Sequence, residues 1–239
     1  MPLPQISTPT YELVIPSSKK KVKFRPFLVK EEKILILAME SEDPKQIANA
    51  VKDVIGSCIL SKGIRVEKLS TFDIEYIFLN IRGKSVGEDI EIMVTCPDDE
   101  KTQVPTVIHL DEIKVHIDKE HSQDIKLDDT YTMRMKYPSL NEFVKTNLSS
   151  GGDLAIDDTF DLIASCVDQV YSEEESWAGS DCTKKELSDF VGSLNSKQFK
   201  DVEKFFDTMP KLSHKVKVKN PNTDVESEIV LEGLQSFFG

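Results

Sequence analysis

The chain has 239 residues, a formal net charge of −12 at neutral pH, and 39% hydrophobic against 30% charged residues. That length accommodates one large domain or two small ones, each with a real core. The acid excess argues against nucleic acid, whose phosphates require a lysine and arginine surplus, and against an anionic membrane surface.

Four cysteines, Cys58, Cys96, Cys166 and Cys182, are widely spaced without a CxxC pair, so reduced thiols are expected rather than a disulfide framework. The N-terminal MPLPQISTPTY carries two prolines and no apolar stretch of signal-peptide type. The longest apolar run, Ile34–Met39, is too short to cross a bilayer.

In chain order, Tyr11–Ile15 and Lys21–Phe24 alternate around a Pro16-Ser-Ser-Lys turn and predict a hairpin. A helix over about 28–41 follows, containing the Ile34–Met39 block. Asp43-Pro44 is an N-cap followed by a proline at the first helical position, and it opens a helix over about 44–62 that Gly63 stops. Ser70 to Asp73 is a capping-box variant for a third helix over about 71–82, with a turn at Gly83–Gly87.

The middle is strand-rich. Ile90–Thr95, Val104–Leu110, Ile113–Ile117 and Tyr131–Tyr137 read as strands, with Pro105 marking an edge and Asp124–Leu127 as a further candidate. Ser139 and Glu142 form a capping box for a short helix, and Ser149–Gly152 is a linker. A helix from about 153 to Tyr171 is predicted from Phe160, Ile163, Ala164, Val167 and Val170. Glu173–Glu175 and Trp177 form an acidic loop. Capping boxes at Thr183/Glu186 and Asn195/Gln198 open two more helices, the last ending at Met209-Pro210. A hairpin and an aromatic tail, Leu234–Gly239, close the chain. The expectation is an α+β fold, mostly helical, with a small antiparallel sheet and two similar hairpins, arranged as 1–87, 88–148 and 149–239.

The two hairpins are alike. Val94-Thr-Cys96-Pro97-Asp98-Asp99 leads to Val107–Ile113, and Val218-Lys-Asn220-Pro221-Asn222-Thr223 leads to Ile229–Leu234. The front block PTYELVIPSSKKKVKFRPFLVKEEKILILAMES and the tail FFDTMPKLSHKVKV…VLEGLQSFFG resemble the baseplate hub assembly proteins of T4-like contractile-tailed bacteriophages. The resemblance implies a factor that assembles the central hub by binding other hub or tail proteins in the host cytoplasm, without catalysing a reaction. A permanent hub subunit in the virion baseplate is the alternative. Relatives carry Cys pairs of CPxC type at the hairpin turns. Here Cys96 has no such partner and Asn220 stands at the second turn, so no zinc is carried over.

The residues themselves show no catalytic signature. GxSxG, HExxH and glycine-rich phosphate loops are absent from the sequence. A hydrolase would have to use acids such as Asp111/Glu112, Asp128/Asp129 or Asp157/Asp158, whose positions at strand ends and helix starts suit turns and helix dipoles better. A metal would have to draw on Cys96, His109, His116 and His121, which lack the close pair a zinc site uses. No cofactor, metal or small-molecule substrate is expected. The candidate partner-binding residues are Leu234, Phe237 and Phe238 in the tail, and Trp177, whose acidic loop suits a basic partner surface.

Overall fold

A computed structural model describes residues 6–139, 142 and 156–233, apart from the side chains at 44 and 156–158. In order, its elements are β1 (Tyr11–Val14), β2 (Lys21–Phe24), α1 (Val29–Glu40), α2 (Pro44–Cys58), α3 (Thr71–Val86), β3 (Asp89–Thr95), β4 (Gln103–His109), β5 (Lys114–His116), β6 (Asp124–Lys126), β7 (Thr132–Met135), α4 (Ile156–Ser165), β8 (Val167–Tyr171), β9 (Ser176–Ala178), α5 (Lys184–Gly192), α6 (Ser196–Thr208), β10 (Lys211–Lys219) and β11 (Glu226–Glu232). The expected linker at Ser149–Gly152 and the tail residues Leu234, Phe237 and Phe238 lie outside the described residues.

The expectation of a mostly helical α+β chain with one small sheet is overturned. The chain is about 39% helix and 28% strand. Its described strands form four antiparallel sheets of two to four strands, in the orders β1-β2, β11-β10-β5, β3-β4 and β6-β7-β8-β9. The chain divides into two compact units. One comprises Met1–Val66, Phe72–His116 and Lys211–Gly239; the other comprises Glu67–Thr71 and Ile117–Pro210.

In the first unit, β1 and β2 pair with Leu13 opposite Val22, and alternation buries Leu13, Val22 and Phe24. Arg25 then joins three elements. Its guanidinium donates to the Pro26 carbonyl at 2.8 Å and to Glu31 Oε1 at 3.0 Å, and lies 3.7 Å from Cys58 Sγ at the end of α2. Glu31 is buried, and burial raises its pKa. The hydrogen bonds from Arg25 and the Leu28 N–H, with the charges of Arg25 and Lys30, outweigh that and hold it below the ordinary glutamate value.

Two helix boundaries differ from the sequence pattern for physical reasons. Helix α2 stops at Cys58 because the next residues join β2: Ile59 bridges Phe24, and the Leu60 N–H donates to the Lys23 carbonyl at 2.8 Å. Helix α3 passes through Gly83 to Val86. A Cβ at Gly83 would stand 2.7 Å from Leu110 Cδ1, so this glycine permits close packing within a helix instead of making a turn.

The hairpins β3-β4 and β10-β11 share one core. Ile90, Ile92, Val94, Ile108, Leu212, Val216 and Val218 are buried there with Leu79 of α3. Their turns match in hydrogen bonding. The Glu100 N–H donates to the Cys96 carbonyl at 3.0 Å, the Asp224 N–H donates to the Asn220 carbonyl at 2.9 Å, and both donors have positive φ, 54° and 61°. The tips are tied together. Buried Asn220 donates through Nδ2 to both carboxylate oxygens of Asp98 at 3.0 Å, Thr223 Oγ1 donates to Asp98 Oδ2, and Asn222 Nδ2 donates to Thr102 Oγ1 at 2.9 Å.

The second unit packs α4, α5 and α6 on the four-stranded sheet, around Ile125, Met133, Met135, Ile163, Val167, Val191, Val202 and Phe205. Its largest departure from the sequence pattern is at Val167 and Val170, whose three-residue spacing predicts helix. They lie on strand β8. The register runs Arg134↔Gln169 and then Met135↔Val167, so Asp168 is an extra residue at a bulge. The bulge brings Val167 and Val170 to one face of the strand, opposite Met135 and Met133, and so imitates helical periodicity.

The clasp between the hairpin tips yields the first prediction. Replacing Asn220 with Ala removes a buried donor and acceptor, and should cost about 1–3 kcal/mol in denaturant unfolding. The hydrogen bonds from Asn220 and Thr223 hold the Asp98 carboxyl below the ordinary aspartate value. A lowered carboxyl contributes stability that is full above its unfolded pKa, about 4, and lost as the pH falls through the folded value. Asp98→Asn should therefore be less stable than the parent at pH 7, and the gap should close in acid. A gap that does not narrow as the pH is lowered would assign the loss to something other than the ionised carboxylate.

Candidate partner-binding site

One cross-strand row leads to the candidate site. Register places Ile125, Met133, Val170 and Trp177 opposite one another on β6, β7, β8 and β9. Burial declines along that row: Ile125 and Met133 are in the core, Val170 is half-buried, and Trp177 on the edge strand is 43% exposed. The Tyr131 ring lies 6.1 Å from that of Trp177.

The facing wall is α5. Its start is set by the Thr183/Glu186 capping box, in which the Glu186 carboxylate accepts from the Thr183 N–H at 2.7 Å and the Glu186 N–H donates to Thr183 Oγ1 at 3.2 Å. This places Leu187, Phe190 and Leu194 toward Val167, Val170, Leu127 and Trp177, and leaves a cavity of about 510 Å³ among them. Gly179 is also on the wall. A Cβ there would sit 2.3 Å from the Val167 carbonyl oxygen, so the close approach of the chain after β9 to β8 requires glycine.

The polar groups of the lining include two acids and, among the described lining residues, no lysine or arginine. Asp128 accepts from the N–H groups of Tyr131 and Thr130, both at 2.7 Å, which hold its carboxyl below the ordinary value. Glu186 is lowered by the Thr183 N–H and hydroxyl. Both are therefore anionic at neutral pH. Between β8 and β9 the Ser172 hydroxyl accepts from the N–H groups of Glu174 and Glu175, fixing a tight turn from which Glu173, Glu174 and Glu175 are exposed.

A second apolar surface lies on α1 of the other unit. Glu31, Leu35 and Ala38 recur at helical spacing and form its buried face. Val29, Ile36 and Leu37 are 80%, 50% and 54% exposed, with Ile34 and Met39 also exposed. The sequence carries the signal for this in the unbroken Ile34–Met39 run, because a helix apolar all round buries only one side when it packs on one neighbour.

The groups considered for chemistry are dispersed. His109 is 2.5 Å from Asp89, and His121 bonds Thr208 Oγ1 and Tyr137 Oη at 3.0 Å each. Cys96 is buried at a hairpin tip, and His116 is on β5. Asp128 organises a turn, Asp129 pairs with Lys126 at 3.0 Å, and Glu112 lies 3.6 Å from His214. The side chains of Asp157 and Asp158 lie outside the described residues. No group of three or more His, Cys, Asp or Glu positioned for a metal occurs among the described residues. No helix among them is long and apolar enough to cross a membrane.

A family model described as T4 bacteriophage base plate protein matches residues 8–239. The chain belongs to that family. No curated protein and no solved structure matches it. Membership puts this base plate protein in the context of a phage virion or its assembly, alongside other baseplate proteins.

The apolar face of α1 in this base plate protein is testable by itself. Ile36→Glu and Leu37→Glu should each change unfolding free energy by no more than about 0.5 kcal/mol, as surface substitutions do, and should reduce self-association in light scattering. A cost of several kcal/mol would mean the face is covered within the chain.

Proposed function

We propose that this base plate protein is an assembly factor of the baseplate hub, acting like a chaperone in the host cytoplasm by binding other hub or tail proteins and catalysing no reaction. The observation that carries the reading is the exposed apolar face of α1 on a chain with a net charge of −12, in a member of a baseplate family. So many large apolar side chains left exposed on one helix favour a protein partner. An acidic body keeps such a surface soluble before the partner arrives and draws basic partner surfaces toward it.

The companion reading is a permanent hub subunit, in which the same face is buried for good in the virion. Quantitative mass spectrometry of purified mature particles separates the two. An assembly factor should be absent or far below the copy number of the hub proteins, whereas stoichiometric copies would establish the structural subunit. In either case Ile36→Glu/Leu37→Glu should abolish capture of co-expressed hub and tail proteins while leaving the melting temperature unchanged. Undiminished capture would remove α1 from the interface.

A further inference from the structure

We propose that the cavity beneath Trp177 is a docking groove for an amphipathic helical segment of a partner protein, with large apolar side chains on one face and lysine or arginine beside them. This rests on the reading that the protein works by binding other proteins, and adds to it a second surface, distinct from α1, with a stated chemistry.

The groove has the form such a segment needs. One wall is the sheet face that ends in Trp177, and the other is α5 with Leu187 and Phe190, continued by Leu194 just past its end. Tyr131 and Trp177 are 39% and 43% exposed, so it opens at its mouth instead of closing over a small molecule. A volume of about 510 Å³ admits the successive anchors of one helix face, which recur every three or four residues. Trp is also the residue type most enriched among interface hot spots.

Charge selects the occupant. Asp128 and Glu186 line the groove, and the exposed Glu173–Glu175 turn belongs to the hairpin that carries Trp177. Of the lysines on neighbouring elements, Lys126 pairs with Asp129 at 3.0 Å and Lys184 with Asp161 at 2.5 Å, while Lys185 and Lys197 stand exposed beside Glu186 and Gln198, so among the described residues the acids outnumber the free cations at the rim. Asp128 and Glu186 are held chiefly by neutral N–H and hydroxyl donors, with the charge of Lys126 adding a smaller contribution at Asp128. An apolar trough with an anionic margin attracts a cationic amphipathic helix and repels an anionic one.

The test uses the full chain and three synthetic helical peptides: leucine–lysine, the same peptide with glutamate for lysine, and a lysine–alanine peptide without leucine. Trp177 is the only tryptophan in the protein, so its fluorescence reports on the groove directly. The expected result is a saturable blue shift with the leucine–lysine peptide alone, weakening as salt is added. Equal binding of the leucine–glutamate peptide, or no shift with any peptide, overturns the proposal. The variant Asp128→Asn/Glu186→Gln keeps the turn and capping hydrogen bonds and removes both charges. It should weaken the leucine–lysine peptide by about fivefold, measured well below the unfolding transition because removing two carboxylates whose pKa is lowered in the fold also lowers the melting temperature somewhat, and unchanged affinity overturns the role of the acids. Phe190→Ala should weaken the same peptide without altering its salt dependence. Sedimentation of the protein alone checks the remaining occupant: a dimer in which Trp177 is already blue-shifted would make a second copy of the chain the ligand and overturn the proposal. If the peptide fails while co-expressed hub proteins are still captured through α1, the groove is lost and the assembly reading stands; loss of capture by the α1 variant with peptide binding intact has the opposite meaning.

Discussion

Much of the first unit depends on one strand pairing that spans nearly a hundred residues of chain. Lys211, Leu212 and Ser213 pair with His116, Val115 and Lys114, and the same strand β10 continues into its hairpin with β11. This pairing brings Leu212 into the core beside Ile113 and Leu79, and directs the second hairpin back over the first. Because His116 is opposite Lys211, the chain between them leaves and returns at neighbouring strand positions. The body of the second unit is, in sequence, an insertion between two paired strands. Loop-closure entropy grows only logarithmically with length, so a long insertion is tolerated where its ends are held together. The short segment Glu67–Thr71 joins the same unit through the Ser70–Ser139 bridge and the Thr71 N–H donated to the Pro138 carbonyl.

This arrangement separates what was legible in the sequence from what was not. Local chemistry was legible: Asp43 caps α2 through the Lys45 N–H, and Thr183/Glu186 and Asn195/Gln198 form the capping boxes their spacing indicates. The likeness of the turns at Cys96 and Asn220 was also legible, and extends to matching backbone hydrogen bonds and positive φ. Features set by distant partners were not. The bulge at Asp168 gives a strand the spacing of a helix, and only its pairing with β7 reveals it. Gly83 resembles a helix stop until Leu110 is found packed against it. The two units are joined in this order because β10 pairs with β5 across the insertion, a contact between positions distant in the sequence.

The candidate site divides the same way. Trp177 was conspicuous as a lone tryptophan among acids, but its apolar surroundings come from four stretches, around Leu127–Tyr131, Val167–Val170, Trp177–Cys182 and Glu186–Gln198. Periodicity assigns Leu187 and Phe190 to an inward face and cannot say that this face meets a partly open space. That follows from the length of β9. Three residues carry the sheet far enough to hold Trp177 opposite Val170, and the backbone then turns sharply at Gly179, whose lack of a side chain lets it lie against β8.

The acid excess has a structural character that net charge alone does not convey. Asp98 is held by Asn220 and Thr223, Asp99 by the hydroxyl and N–H of Thr102 and the N–H of Lys101, Asp128 by the N–H groups of Tyr131 and Thr130, and Glu186 by Thr183. In each case the chief stabilising partner is a neutral donor. Such donors lower the carboxyl pKa without cancelling the charge, unlike the salt bridge of Asp124 with Arg134, where a cation does both. The acids that build turns, caps and the hairpin clasp therefore also keep a negative field directed outward, and protonation near the ordinary carboxylate range does not erase it. On the proposed reading, Asp128 and Glu186, which shape the turn and the helix cap at the groove, also discriminate by charge among segments that approach Trp177.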